Sequence, residues 1–229
     1  MILNRKLIIE KISKIIGKNY NLSLGDSDLV ICSLEDTYFN FFSKFRLQYN
    51  RLITFEGFSN FSSKKIEKEI SSLILEDLKN HYYDYFYFTP KDFYKTDYDF
   101  SQVILSETHL EEFLTESVKC LEYHEQEVFP KLLDISFLAE YVGSVPFDKQ
   151  LEIPVGGDFP VFLFKKLAIL KWGNQEERYL EYKTNTKQLI ESYSIKKPEK
   201  YKPSFETGFE NLIKHLENEP NPFEKNNIC

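Results

Sequence analysis

The sequence predicts an α+β protein: an N-terminal antiparallel sheet with helices, followed by a mostly helical C-terminal half that contains a helical hairpin. Three observations carry this. Phe45 to Phe55 alternates apolar and polar residues with a period of two, the pattern of a half-buried antiparallel strand. Leu110 to Val128 repeats apolar residues at helical spacing over about five turns. Gly173 parts two helical patterns and leaves room for only a tight connection between them. Strands grouped ahead of helices indicate α+β and not a regular βαβ alternation. The expected regions are 1–105, mixed; 106–217, helical; and 218–229, a frayed tail. No flexible linker marks residue 105, so the first two regions are compatible with one packed domain.

In chain order, Asn4–Ile16 reads as a helix through Leu7, Ile8, Ile12, Ile15 and Ile16, with Gly17 as its stop. Asp28–Ser33 reads as a buried strand. Within Phe45–Phe55, residues Phe45, Leu47, Tyr49, Ile53 and Phe55 share one face, Arg51 interrupts it, and Thr54 lies on the other. Tyr38–Phe42 is expected to supply the neighbouring strand, and Gly57 ends the pattern. Ser62 and Ser63 are N-cap candidates for a helix that buries Ile66, Ile70, Leu73, Ile74 and Leu78. Tyr82–Phe88 reads as a strand, and Thr89-Pro90-Lys91-Asp92 as a short helix start.

Thr108-His109-Leu110-Glu111 matches the capping box. Leu110, Phe113, Leu114, Ser117, Val118, Leu121, His124 and Val128 then share a face. Asp134–Val142 is a short helix closed by Gly143. Ser144–Gly157 is a connection with a short strand at Leu151–Ile153. Asp158 and Pro160 open the helix Phe159–Trp172, apolar nearly all round and therefore buried. Asn174-Gln175-Glu176-Glu177 is a second capping box, and Phe205–Leu216 a last amphipathic helix.

Composition excludes several classes. With 42% hydrophobic and 28% charged residues, the chain is not wholly disordered. The longest apolar stretch, Val161–Leu170, contains Lys165 and Lys166 and is too short to span a bilayer. Met1–Ile16 lacks the apolar core of a signal peptide. Cys32, Cys120 and Cys229 are odd in number and far apart, which points to a reducing, cytoplasmic setting. The net charge is −7, and Glu107–Asp158 alone sets twelve carboxylates against three lysines, a local −9. Such a segment opposes nucleic acid and anionic membrane, which require clustered cations.

No catalytic or metal-binding motif is legible, and no cofactor is expected. His124-Glu125-Gln126-Glu127-Val128 fails the metalloprotease pattern because Val128 stands where the second histidine belongs. Cys120 and His124 share a helix face but have no second ligand pair. No Gly-x-Ser-x-Gly elbow occurs, and Cys32 sits in an apolar strand. Gly156-Gly157 is followed by Asp158 and not by a phosphate-binding Lys-Ser/Thr. Glu181-Tyr182-Lys183 matches the nuclease Glu-x-Lys only as a tripeptide within a predicted helix. The aromatics of Tyr82–Phe100 could stack on bases, but Asp84, Asp92, Asp97 and Asp99 outnumber Lys91 and Lys95 there.

The residues therefore predict a non-catalytic protein-binding module whose acidic surface meets a basic protein partner, with Glu111, Glu112, Glu116 and Glu122 as the contact residues. In composition and general layout the chain resembles small acidic bacterial proteins of unknown function, the toxin-neutralising immunity type among them. That resemblance rests on no motif and assigns no residue. Two rivals stand beside this reading. One is an enzyme or small-molecule binder assembled from His81, Tyr83, Tyr85 and His124. The other is an assembly subunit that uses the helical hairpin as an oligomer contact.

Overall fold

A computed structural model describes residues 6, 7, 10, 11, 14, 32–34, 37–40, 45–48, 51–54 and 59–224. A small antiparallel sheet region precedes a mostly helical C-terminal half, as the sequence predicts. The chain folds into two compact units, each discontinuous in sequence: Met1–Ser62 with Tyr87–Pro130, and Ser63–Phe86 with Lys131–Cys229. Residue 105 lies inside the first.

In the first unit, β1 (Cys32–Leu34) pairs antiparallel with β2 (Thr37–Asn40), and β5 (Ser59–Ser63) follows β2 in the same sheet. A second sheet has the order β3-β4-β7, formed by Phe45–Gln48, Arg51–Thr54 and Val103–Ile104. Two expectations are corrected here. The alternating stretch 45–55 is a hairpin and not one strand, with Gln48 opposite Arg51 and Phe45 opposite Thr54. The apparent interruption at Arg51 is the point where the chain has turned back. Its buried face also has the opposite parity, since Leu52 and Thr54 are buried and Ile53 is half-exposed. Thr54 tolerates burial because its hydroxyl donates to Phe100 O at 2.7 Å and accepts from Gln102 N at 3.1 Å. Tyr38 belongs to β2, whose partner is β1 and not β3.

The described positions of the first helix, α1, are 6, 7, 10, 11 and 14. The expectations at Ile8, Ile12, Ile15–Gly17, Asp28–Ile31, Phe41, Phe42, Tyr49, Phe55 and Gly57 lie outside the described residues. The N-cap of helix α4 (Glu107–Tyr123) lies two residues before the expected Thr108: it is Ser106, which accepts from His109 N. It buries Leu110, Phe113, Leu114, Ser117, Cys120 and Leu121. A π turn, His124–Val128, then widens the ladder, with Phe129 N donating to His124 O. Pro130, just beyond in α5 (Phe129–Leu132), has no N–H to continue an ordinary ladder.

The second unit is built around α7 (Val161–Trp172), ten of whose twelve residues are buried. It packs against α6 (Ile135–Gly143), α8 (Glu176–Lys196), α9 (Pro203–Asn218) and β8 (Val155–Gly157). Each leucine it buries contributes on the order of 2 kcal/mol. Asp134 caps α6 through Ser136 N at 2.7 Å. Gly173 ends α7 where a Cβ would stand 2.1 Å from Ala139 Cβ, so only glycine lets the α7–α8 turn approach α6 this closely. The hairpin forms, but the second capping box does not: Gln175 is the N-cap and makes no side-chain cap bond.

Ser63 caps α2 (Lys64–Ser72), and a 3₁₀ segment, Glu76–His81, replaces the last helical turns expected before Leu78. Strand β6 (Tyr82–Phe88) pairs antiparallel with β8, and α3 (Pro90–Phe93) follows it. The strand expected at Leu151–Ile153 is instead part of a 3₁₀ segment, Phe147–Glu152, and the strand comes later, at Val155. As far as Phe223 the expected frayed end is anchored: Asn221 donates to Trp172 O at 2.8 Å, and the Phe223 ring lies 5.4 Å from that of Trp172.

Candidate functional site

The four predicted contact residues all lie on α4. At 100° per residue, Glu111, Glu112, Glu116 and Glu122 fall within an arc of about 140°. The buried residues of the helix occupy the opposite side. Glu111, Glu112 and Glu122 are exposed and Glu116 is half-buried. Two of the four already hold lysines. Lys11 of α1 bonds Glu111 and lies 2.6 Å from Glu107, and Lys119 lies 2.6 Å from Glu116. The bond from Lys11 lowers the Glu111 carboxyl below the usual range. Glu112 and Glu122 make no ion pair among the described residues. Of the twelve carboxylates in the acidic segment, Asp134, Glu140, Asp148, Glu152 and Asp158 belong to the second unit.

A second group of polar residues lies inside the second unit, where the sequence reading placed only a buried apolar helix. Lys165 and Lys166, adjacent on α7, are both fully enclosed. Lys165 is completely coordinated. Its Nζ lies 2.7 Å from Glu67 Oε1, and donates to Glu67 Oε2 at 2.8 Å and to the carbonyls of Tyr83 and Tyr85 at 3.1 and 3.0 Å. It also sits 4.0 Å from the Phe86 ring centroid. Tyr82 donates its hydroxyl to Glu67 Oε2.

The strand geometry explains the arrangement. Between Tyr82↔Gly157 and Phe86↔Val155, four steps along β6 face two along β8. Lys165 serves carbonyls within that irregular stretch. Gly156 packs on the same carbonyls, where a Cβ would come within 2.5 Å of Tyr85 O and 2.7 Å of Tyr83 O. Burial lowers the Lys165 ammonium to about 8 against the pull of Glu67, and raises the Glu67 carboxyl against the pull of Lys165. At neutral pH Lys165 is still a cation with every proton engaged, so it cannot act as a nucleophile.

Lys166 differs in its partners. Its Nζ donates to Gln150 O and makes no ion pair among the described residues. The Tyr182 ring centroid lies 5.9 Å away. Burial alone lowers its ammonium to about 7.

Of the residues proposed for a small-molecule site, His81 and Tyr83 converge on Asp158. Asp158 Oδ2 is 3.3 Å from His81 Nδ1 and accepts from the Tyr83 hydroxyl at 3.2 Å. Tyr85 stacks on Tyr83 with ring centroids 5.9 Å apart. Lys202 Nζ donates to His81 Nε2 at 3.1 Å, which sets the ring proton on Nδ1. Both ring nitrogens are therefore engaged within the protein. The Asp158 side chain does not cap α7, contrary to expectation: it faces His81 and Tyr83, and Pro160 is the N-cap. His124 is not with them but in the first unit, buried among Phe88, Phe93, Tyr94, Tyr123 and Phe129, with Nδ1 2.7 Å from Cys120 O. Cys120 is a buried thiol beside it, and no group of three metal-ligating side chains occurs among the described residues. Glu181 of the nuclease-like tripeptide accepts from Phe147 N and pairs with Arg178, which accounts for it structurally.

Glu67, Lys165 and Lys166 escaped the sequence reading. The available signal was a pair of adjacent lysines in a helix with no polar face to receive them. No protein-family model matches the chain, and no curated protein or solved structure shows significant similarity to it. No helix among the described residues is long and apolar enough to cross a membrane.

Proposed function

We propose that the protein is a non-catalytic binding module, immunity-like in character, that presents the outer face of α4 to a basic protein partner. The observation that supports this reading is the placement of Glu111, Glu112, Glu116 and Glu122 on one accessible arc, with Glu112 and Glu122 making no ion pair among the described residues. Lys11 of the same chain already pairs with Glu107 and Glu111, which is consistent with an ammonium-accepting surface on this helix. The rival readings have less support. Both nitrogens of His81 are engaged, and α7, the inner helix of the hairpin, is already buried within its own unit.

The test is charge reversal. The Glu111→Lys, Glu112→Lys, Glu116→Lys, Glu122→Lys variant should fold normally, because these positions touch solvent and surface pairs contribute little. Its affinity for the partner isolated on the wild-type protein should fall by tenfold or more, and the wild-type affinity should weaken with salt. Unchanged affinity with an intact fold would remove α4 as the contact surface.

A further inference from the structure

Helices α8 and α9 enclose an open groove of about 430 Å³ that no part of the α4 reading uses. The two helices run antiparallel: the Tyr193 and Phe205 rings lie 6.2 Å apart near one end, and Lys183 donates to Glu217 near the other. The groove follows them for about three turns. Its floor is Ile190, Phe209 and Ile213, all part of the buried core, and its walls are the stems of charged side chains. These charges are sorted along its length. Lys187 and Lys214 lie toward the Lys183 end, whereas Glu191 and Glu206 lie toward the Phe205 end, with Glu210 one turn from Glu206. All five are exposed. Lys187 with Glu191, and Glu210 with Lys214, have the i,i+4 spacing of a helical ion pair. None of these four makes an ion pair among the described residues.

We propose that this groove receives an amphipathic helix of a protein partner, with carboxylates at one end and lysines or arginines at the other. An open trough between two antiparallel helices, apolar below and charged on both rims, has the layout that a third helix meets in a coiled coil. Apolar side chains fill the seam, and the rim charges set partner and direction. The partner's acids lie beside Lys187 and Lys214, and its bases beside Glu191, Glu206 and Glu210. A uniformly charged helix would meet like charge at one end whichever way it lay. A second copy of this chain fits less well. Two such grooves face to face would enclose their charged walls, and charged residues are depleted at the centres of protein interfaces. A single docked helix leaves the rims in water.

The test uses the full chain and labelled synthetic helices of about fourteen residues with leucines at heptad spacing. One is bipolar, with glutamates in its first turn and lysines in its last; another carries lysines at both places. Fluorescence anisotropy should show the bipolar helix binding the wild-type chain. Lys187→Glu together with Lys214→Glu, at exposed positions, should weaken that binding at least tenfold and strengthen binding of the all-lysine helix. Reversal of Glu112 and Glu122 on α4 to lysine should leave the bipolar affinity unchanged. A bipolar helix that fails to bind, or that binds the lysine-reversed variant as tightly as the wild type, overturns the proposal. So does a wild-type chain whose mass in solution doubles with concentration when the variant's does not, because the groove would then hold a second copy.

Discussion

Replacing Lys166 with methionine should stabilise the second unit, and more at pH 7 than at pH 9. Methionine keeps the volume of the lysine stem and removes the amine. In the fold, burial lowers that amine from 10.5 to about 7. The sign follows from proton binding: between pH 7 and 10.5 the unfolded chain holds a proton at this site that the folded chain has lost. Wild-type stability therefore rises with pH across that window. Below pH 7 the lysine is charged in both states, and the full penalty of about 5 kcal/mol stands. It is about 4 kcal/mol at pH 7, about 2 at pH 9, and gone above 10.5. Methionine also leaves Gln150 O without its donor, which costs about 1 kcal/mol. The net gain is thus about 3 kcal/mol at pH 7 and about 1 at pH 9. Trp172 is the chain's one tryptophan, lies on α7 itself and is buried, so its fluorescence reports urea unfolding of this unit. Other titrating groups cancel in the difference between variant and wild type. A Lys166→Met protein that is less stable at pH 7, or whose gain is the same at both pH values, would refute the reasoning.

Two further outcomes follow from the same core. Glu67→Gln should destabilise the second unit by about 3–5 kcal/mol at pH 7, because it strands the buried Lys165 cation; a loss below about 1 kcal/mol in the Trp172 assay would mean that the ion pair is not held as described. Gly156→Ala should lose about 1–3 kcal/mol, since its methyl must push β8 off the Tyr83 and Tyr85 carbonyls; a neutral effect in urea unfolding would show that the strands have room to spare.

The helical half was legible because its signals are local. Apolar spacing marked α4 and α7, and Asp134, Gly143 and Gly173 punctuated α6 and the hairpin. The sheet was less legible, because alternation by itself does not reveal a turn. Gln48 and Arg51 are only three positions apart, and one strand or a hairpin gives nearly the same string of letters. Parity failed at Thr54 for a similar reason: its burial depends on carbonyls of Phe100 and Gln102, nearly fifty residues away. The candidate site divides along the same line. The acidic residues of α4 could be read from composition and helical spacing. The Glu67–Lys165 pair is separated by 98 positions, and only the fold brings its members together.

Lys165 and Lys166 show by comparison what a buried lysine asks of the fold around it. They are neighbours on one helix, equally enclosed, and identical in chemistry. Around Lys165 the fold arranges a carboxylate, two strand carbonyls and an aromatic face, and this requires Gly156 to leave space and Glu67 to be buried as well. Around Lys166 it arranges one carbonyl from a surface segment and no counter-charge. A purely structural lysine needs surroundings like the first. The second lacks them, so its burial works against the ammonium with nothing to offset it, which is the penalty the methionine variant weighs.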